Sequence, residues 1–384
     1  MAGVQTLARL IEGVLSPLIG PVIDRHGPRL LMVIGGFIVA LVFLALTQLN
    51  NLWQFYILRG GLLAVGFALA GGLATNTAIS NWFIRRRGRA LAIAGMGTQL
   101  GNFIMAPLLI WVIATHGWRS SWIIFAILSI AMLVIPSALI MRRRPEDMGL
   151  RPDGDSPKMN SVAWDADQGS ASSIAEPALS TPEPVWTRRE LLKTPSFWLL
   201  VSGLSLAGLA FQGINISVAP YVEDLGFGGG VVATALVLRA AVMFSAAPVW
   251  GLLSEKADHP AIRSMPYIIQ GGSCVLFLLA ARTGFLWLAI IVNGLGLAGA
   301  HLIQEVLWAN YFGRLTLGKV RSTALPIVTG FSAAGPIFMN ALFDVTGSYD
   351  LAFNICIVVF IVSGIVMWIA WPPVASRYAR PEEL

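Results

Sequence analysis

The chain has 384 residues, of which 56% are hydrophobic and only 12% charged, with a mean hydropathy of +0.73. So few charges cannot cover a water-soluble globule of this length, which excludes a soluble enzyme or binding domain and points to a protein that crosses a bilayer many times. The net charge of +6 calls for no nucleic-acid partner, because the basic residues sit in short loops between apolar runs.

Runs long enough to cross the hydrocarbon core as helices lie near residues 3–23, 30–49, 52–79, 90–114 and 119–141, then near 197–222, 231–254, 264–281, 285–311, 322–343 and 351–371. The first is interrupted by Arg9 and Glu12, so it does not read as a signal peptide; three apart on a helix, the two are expected to pair with each other. It ends in the loop "GPVIDRHGPR". Gly20 there removes a side chain where another helix can come close. Asp24 stands where it can accept from Arg25, from Arg29 or from the free N–H groups at another helix's N-terminus. Such a charged latch forms in one conformation and breaks in the other.

Arg59 lies early in its span, where it either snorkels outward or meets an anionic ligand. "GMGTQLG" puts Gly97 and Gly101 on one helix face, a spacing that favours close packing. Residues 142–196, rich in Pro, Ser and acidic residues, cannot bury a core and read as a solvated linker. Its end, "TRRELLKTPSF", is expected to be a short interfacial helix with Leu191 and Leu192 toward lipid.

In the second half, Arg239 lies about nine residues into its span, near mid-membrane at about 1.5 Å per residue. A guanidinium there needs an anion, either a ligand carboxylate or an acidic side chain such as Glu12. Gly251, Glu255 and Lys256 repeat the first latch. Cys274 and Cys356 sit alone in apolar runs and read as small buried hydrophobes. His301 and Glu305, four apart on one helix face, form a candidate proton-coupling pair. "GRLTLGKV" nearly spells a phosphate-binding loop, but Val320 stands where the Ser or Thr for magnesium belongs and no strand precedes it, so no nucleotide or other cofactor is expected.

Twenty-one of the 26 Lys and Arg fall in alternate loops and the C-terminal tail, against two, Arg119 and Arg282, on the other side. The basic loops and the C-terminus are therefore expected to be cytoplasmic. "NWFIRR" from Asn81 and "NYFGR" from Asn310, and likewise "GPVIDR" and "GLLSEK", recur at an offset of about 230 residues, so the two halves repeat one another. Parallel repeats of this kind build secondary transporters with a substrate site between the halves. The repeat also aligns five helices with six, and one helix before residue 1 is expected to be missing.

"GPVIDRHGPR", with Gly20, Asp24, Arg25, Gly27 and Arg29, resembles the loop signature of the major facilitator superfamily. "WFIRRRGRALAIAGMGTQLG" and "YFGRLTLGKVRSTALPIVTGFSAAGPIFMNALFDVTGSYDLAF" are similar to bacterial members near the monocarboxylate-porter and oxalate/formate-antiporter branch. The resemblance implies an all-α membrane fold of two pseudo-repeated bundles, and of the twelve helices of that family the apolar runs here supply about 11 transmembrane helices (5 + 6). Its expected divisions are an N-terminal bundle at 1–141, a cytoplasmic linker at 142–196, a C-terminal bundle at 197–371 and a tail at 372–384. It also implies a monomeric secondary transporter of a small organic anion in a bacterial inner membrane, working by proton coupling or anion exchange. Arg239 and Arg59 would contact the cargo, because related anion porters carry a positive residue in the Arg239 helix; the lysine that oxalate-type relatives add in the next-to-last helix is absent from 322–343, which favours one carboxylate over two. Efflux of a lipophilic compound, a non-transporting sensor and an inactive truncated product are the competing expectations.

Overall fold

The computed structural model describes residues 2–154, 183–280, 283–374 and 378–379. Five long helices precede the linker: α1 (Ala2–His26), α2 (Pro28–Leu46), α3 (Leu52–Trp82), α4 (Arg87–His116) and α5 (Trp118–Leu139). After it come a short helix, α6 (Arg188–Lys193), and six long ones: α7 (Pro195–Asp224), α8 (Gly229–Ser254), α9 (Pro260–Leu278), α10 (Thr283–Phe312), α11 (Leu317–Thr346) and α12 (Asp350–Ile369). Eight of these are long and apolar enough to cross a membrane. The protein is thus a multi-pass, helical membrane protein, with five long helices before the linker and six after it among the described residues.

Local chemistry sets the boundaries. Gly27, at φ 80°, turns the chain between α1 and α2, and Pro28 starts α2 where its missing N–H costs nothing. α3 carries a π-helical turn at Tyr56–Leu62, containing Arg59, and breaks at Gly71. The second bundle is cored by stacked aromatics, with Tyr221, Phe277 and Phe353 in mutual contact. Cys274 and Cys356 are buried and unpaired beside them.

Between the bundles, α1 packs along α11 and α4 along α8, so each half lends one helix to the other. Gly251 on α8 lets Ala92 of α4 approach, and Ala92 and Leu91 join the buried core of the second half.

The linker departs from the expectation of a solvated chain, because both its described ends are docked. Asp153 accepts from the backbone N–H groups of Ile84 (3.1 Å), Arg85 (2.9 Å) and Arg86 (3.1 Å), closing the turn between α3 and α4. Burial by itself would raise the Asp153 pKa, but those three donors outweigh it and hold the carboxyl below the usual aspartate range. At the other end Trp186 is buried edge-on against Phe312 at 5.4 Å, and its backbone N–H donates to Thr316 Oγ1. Glu183–Pro184 (β1) pairs antiparallel with Tyr378–Ala379 (β2) of the tail.

The helix expected at "TRRELLK" is α6, held by a capping box between Thr187 and Glu190. Only Leu192 faces outward; Leu191 is fully buried in the second bundle, which corrects the expectation that both meet lipid. Residues 155–182, Arg282, Arg377 and Arg380, all counted in the sequence reading, lie outside the described residues.

Candidate functional site

Two helix crossings close the basic end of the molecule. At the first, the Asp24 carboxylate accepts from the backbone N–H of Gly318 (2.8 Å) and of Lys319 (2.7 Å), the first turn of α11. Those amides have no partner within their own helix, and the helix dipole adds to their attraction for an anion. Gly20 makes the approach possible: a Cβ there would lie 2.1 Å from Ser322 Oγ and 2.2 Å from the Gly318 carbonyl oxygen. Arg143, the residue against which Gly27 packs, donates to the Asp24 carbonyl at 2.6 Å.

The second crossing repeats the first with the halves exchanged. Gly251 on α8 meets Gly88 in the first turn of α4, where a Cβ on Gly88 would lie 2.1 Å from Ser254 Oγ and 2.5 Å from the Gly251 carbonyl oxygen. Glu255, standing where Asp24 stands, instead pairs by its side chain with Arg89 Nε at 2.6 Å. Arg25, Arg29 and Lys256 are exposed, and their side chains make no hydrogen bond or ion pair among the described residues. Asp24 therefore uses the helix N-terminus rather than its neighbouring arginines.

Beyond these crossings the halves part. Gly95, Gly97 and Gly101 on α4, and Gly330 on α11, have nothing within 4 Å of a built Cβ. The close packing expected of Gly97 and Gly101 is absent, because that face of α4 borders open space. Gly294 and Gly299 do allow tight approach, to the Arg239 backbone and to the Trp250 ring.

A cavity of about 490 Å³ lies between the halves, bordered by Arg9, Gln99, Asn215, Arg239, Tyr267 and His301 among others. Arg239 Nη2 donates to Asn215 Oδ1 at 2.8 Å, while its Nη1 is buried without a partner. No acidic side chain forms an ion pair with Arg239 among the described residues; Glu12, the acid suggested for it, borders a different cavity.

That second cavity, about 380 Å³, is enclosed by α1, α3, α10 and α11. Glu305 meets Arg321, whose Nη2 lies 2.7 Å from its carboxylate. The expected His301–Glu305 pair is thus not formed: both line one wall, but Glu305 is held by α11 and His301 opens into the Arg239 cavity. Glu12 has no cation within the 4.0 Å of an ion pair among the described residues, so the expected Arg9–Glu12 pair is not made either; Arg9 and Arg59 act on it from further off. Arg59 does not border the cavity that holds Arg239.

Asn215, Gly88, Gly318 and Arg321 are the site residues that sequence reasoning missed. Gly88 and Gly318 carried a signal, since they are separated by the repeat offset and both fall in the first turn of their helices. Asn215 and Arg321 carried none, because spacing along one helix does not say what the next helix presents.

The model of the Major Facilitator Superfamily matches residues 2–320. The oxalate:formate antiporter of Oxalobacter formigenes is 25% identical over 290 residues, covering 74% of this chain and 62% of its own length. The human monocarboxylate transporter 2 is 26% identical over 356 residues, covering 89% of this chain and 71% of its own. The chain thus spans under two thirds of the first relative and somewhat more of the second. In fold, it is similar to the crystal structure of the human organic anion transporter MFSD10 (TETRAN), with a TM-score of 0.73 at 15% identity over 95% of this chain and 83% of that one.

Proposed function

Because this chain belongs to the Major Facilitator Superfamily, a family of membrane transporters, we propose that it carries a small organic anion, a monocarboxylate, by alternating access between its two bundles. The observation that carries this reading is Arg239, a mid-membrane guanidinium that borders a cavity between the halves, with Nη2 held by Asn215 and Nη1 buried without a partner. A carboxylate is the anion whose two oxygens fit that fork. Arg9 borders the same cavity, and two guanidiniums make it electropositive, which favours an anion over a lipophilic cargo. The likeness to an oxalate:formate antiporter and a monocarboxylate transporter supports the same class, at an identity that does not select the compound.

The loop charges support an orientation with the latch end and the C-terminus in the cytoplasm of a bacterial inner membrane. In that orientation the two closed crossings would belong to a state shut on the cytoplasmic side. Arg59, away from the cavity, is not assigned to cargo. Either proton coupling or exchange of one anion for another would drive the cycle.

The test is uptake of 14C-labelled formate, lactate and oxalate by proteoliposomes, repeated with Arg239→Lys. Lys keeps the charge but loses the fork, so the half-saturation concentration of the transported acid should rise while the protein still inserts. A wild-type half-saturation concentration in the Lys variant would overturn the assignment.

A further inference from the structure

We infer that Glu12 is the proton-carrying carboxylate of the cycle, and that Arg9, shared between the Glu12 cavity and the Arg239 cavity, ties its protonation to anion binding. This inference rests on the organic-anion reading of the Arg239 cavity.

Every charged group around Glu12 can be named. Arg9 is on its own helix, Arg59 on α3, Glu305 on α10 and Arg321 on α11. Asn76 and Thr329 complete the polar wall, and Arg29 of α2 lies exposed at the basic end. Arg321 engages Glu305 through Nη2 at 2.7 Å, and its Nη1 has no hydrogen-bond partner. The cations that act on Glu12 are Arg9 and Arg59, and neither comes within ion-pair distance. A carboxylate at membrane depth without a close cation holds its charge only weakly.

Arg9 borders both cavities, with Glu12 in one and with Arg239 and His301 in the other. A carboxylate bound at Arg239 competes with Glu12 for the Arg9 guanidinium. As Arg9 turns to the cargo, Glu12 loses compensation and takes up one proton, becoming a neutral acid. One anion and one proton then move together with no net charge, and release of the anion returns Arg9 and expels the proton. Because the coupling is reciprocal, protonation of Glu12 tightens anion binding by the same factor. His301 faces the same cavity, and titration there is the rival source of any proton.

The experiment measures proton uptake by purified full-length protein in weakly buffered detergent when formate or lactate is added, together with the Kd for that acid across pH. Wild-type protein should take up about one proton per bound anion, with Kd rising about tenfold per pH unit above the titration of Glu12. Glu12→Gln should take up none, show a flat Kd, and still exchange labelled for unlabelled acid. Arg9→Gln should also abolish anion-linked uptake, and Glu12→Asp should restore it. Undiminished uptake by Glu12→Gln overturns the inference and leaves the anion reading intact. If Glu12→Gln fails to insert, Glu12→Asp decides, since it must shift the pH of half-maximal uptake and an unmoved midpoint overturns the inference. Absence of acid binding by the wild type would overturn the anion reading and the inference together.

Discussion

Gly20 on α1 and Gly318 on α11 face each other with no room for a methyl group: a Cβ on Gly20 would fall 2.2 Å from the Gly318 carbonyl oxygen, and one on Gly318 would fall 2.5 Å from that of Gly20. The obstructing atoms are backbone and cannot swing aside. Overpacking of this kind costs about 1–3 kcal/mol. Since the crossing exists only with the basic end closed, the cost falls on that state alone. Gly20→Ala should therefore shift the balance toward the state open at the basic end, by roughly 5- to 150-fold. Ser16, buried along the same crossing, provides the probe as Ser16→Cys, because the two natural cysteines are buried and give little background. Its maleimide labelling should accelerate in the Gly20→Ala background, and an unchanged rate would show that the crossing does not hold the closed state.

The two latches should not be worth the same. Asp24 receives two backbone N–H groups and is partly buried, and hydrogen bonds to a charged group contribute about 1.5–3 kcal/mol each. Glu255 pairs with an Arg89 side chain that is 48% exposed, a setting in which ion pairs contribute about 0.2–1 kcal/mol. Asp24→Asn, which turns an acceptor into a donor facing an N–H, should open the basic end at least several-fold more than Glu255→Gln. Equal effects in the same labelling assay would mean that the crossings are held by glycine packing and not by the carboxylates.

Asn215 offers a sharper check on Arg239 than removing the arginine. Asn215→Asp supplies the acid that Arg239 lacks, on an atom already 2.8 Å away. If Arg239 is the cargo clamp, this internal carboxylate should occupy it, raising the half-saturation concentration by roughly tenfold or more, about 1.4 kcal/mol, while thermal stability stays level or rises. If Arg239 only holds helices together, transport should survive. Competition assays with the acid found in the uptake screen distinguish the two outcomes.

The sequence was most legible where physics acts along one helix. Apolar runs of membrane length, the charge difference between loops and the offset between Asn81 and Asn310 lead directly to eleven helices in two repeated bundles. The loop at Asp24 was legible as far as a short set of donors, Arg25, Arg29 or the N–H groups at another helix's N-terminus, of which the last is the one used. Contacts between helices were not. His301 and Glu305 share a face, but Arg321, sixteen residues on and across a turn, captures the glutamate. Gly97 and Gly101 have the spacing of a packing motif, yet no neighbouring helix comes within 4 Å of that face. The Arg9–Glu12 spacing permits a pair, yet both border one cavity without closing an ion pair.

Asp153 fixes the turn between α3 and α4, next to the Gly88 crossing, and its titration gives the linker a pH dependence. Its folded pKa is below the ordinary aspartate value of about 3.9. A carboxyl shifted in this direction stabilises the docked linker at every pH above that ordinary value, and the stabilisation is lost as pH falls through the lower, folded value. Docking should thus be constant from pH 5 to 8, roughly, and fail only in stronger acid. Asp153→Ala should remove it at all pH values. The three amides that Asp153 accepts from, those of Ile84, Arg85 and Arg86, report directly. Corrected for intrinsic rates, their hydrogen exchange in the wild type should be flat across neutral pH and should accelerate in Asp153→Ala, with the Gly27 amide, bonded to Ile23 at 2.9 Å, unchanged as the control. Protection that persists in the alanine variant would mean that the turn holds itself and the linker merely rests on it. Protection lost already between pH 5 and 7 would reverse the sign of the shift, marking a carboxyl whose burial outweighs its three donors.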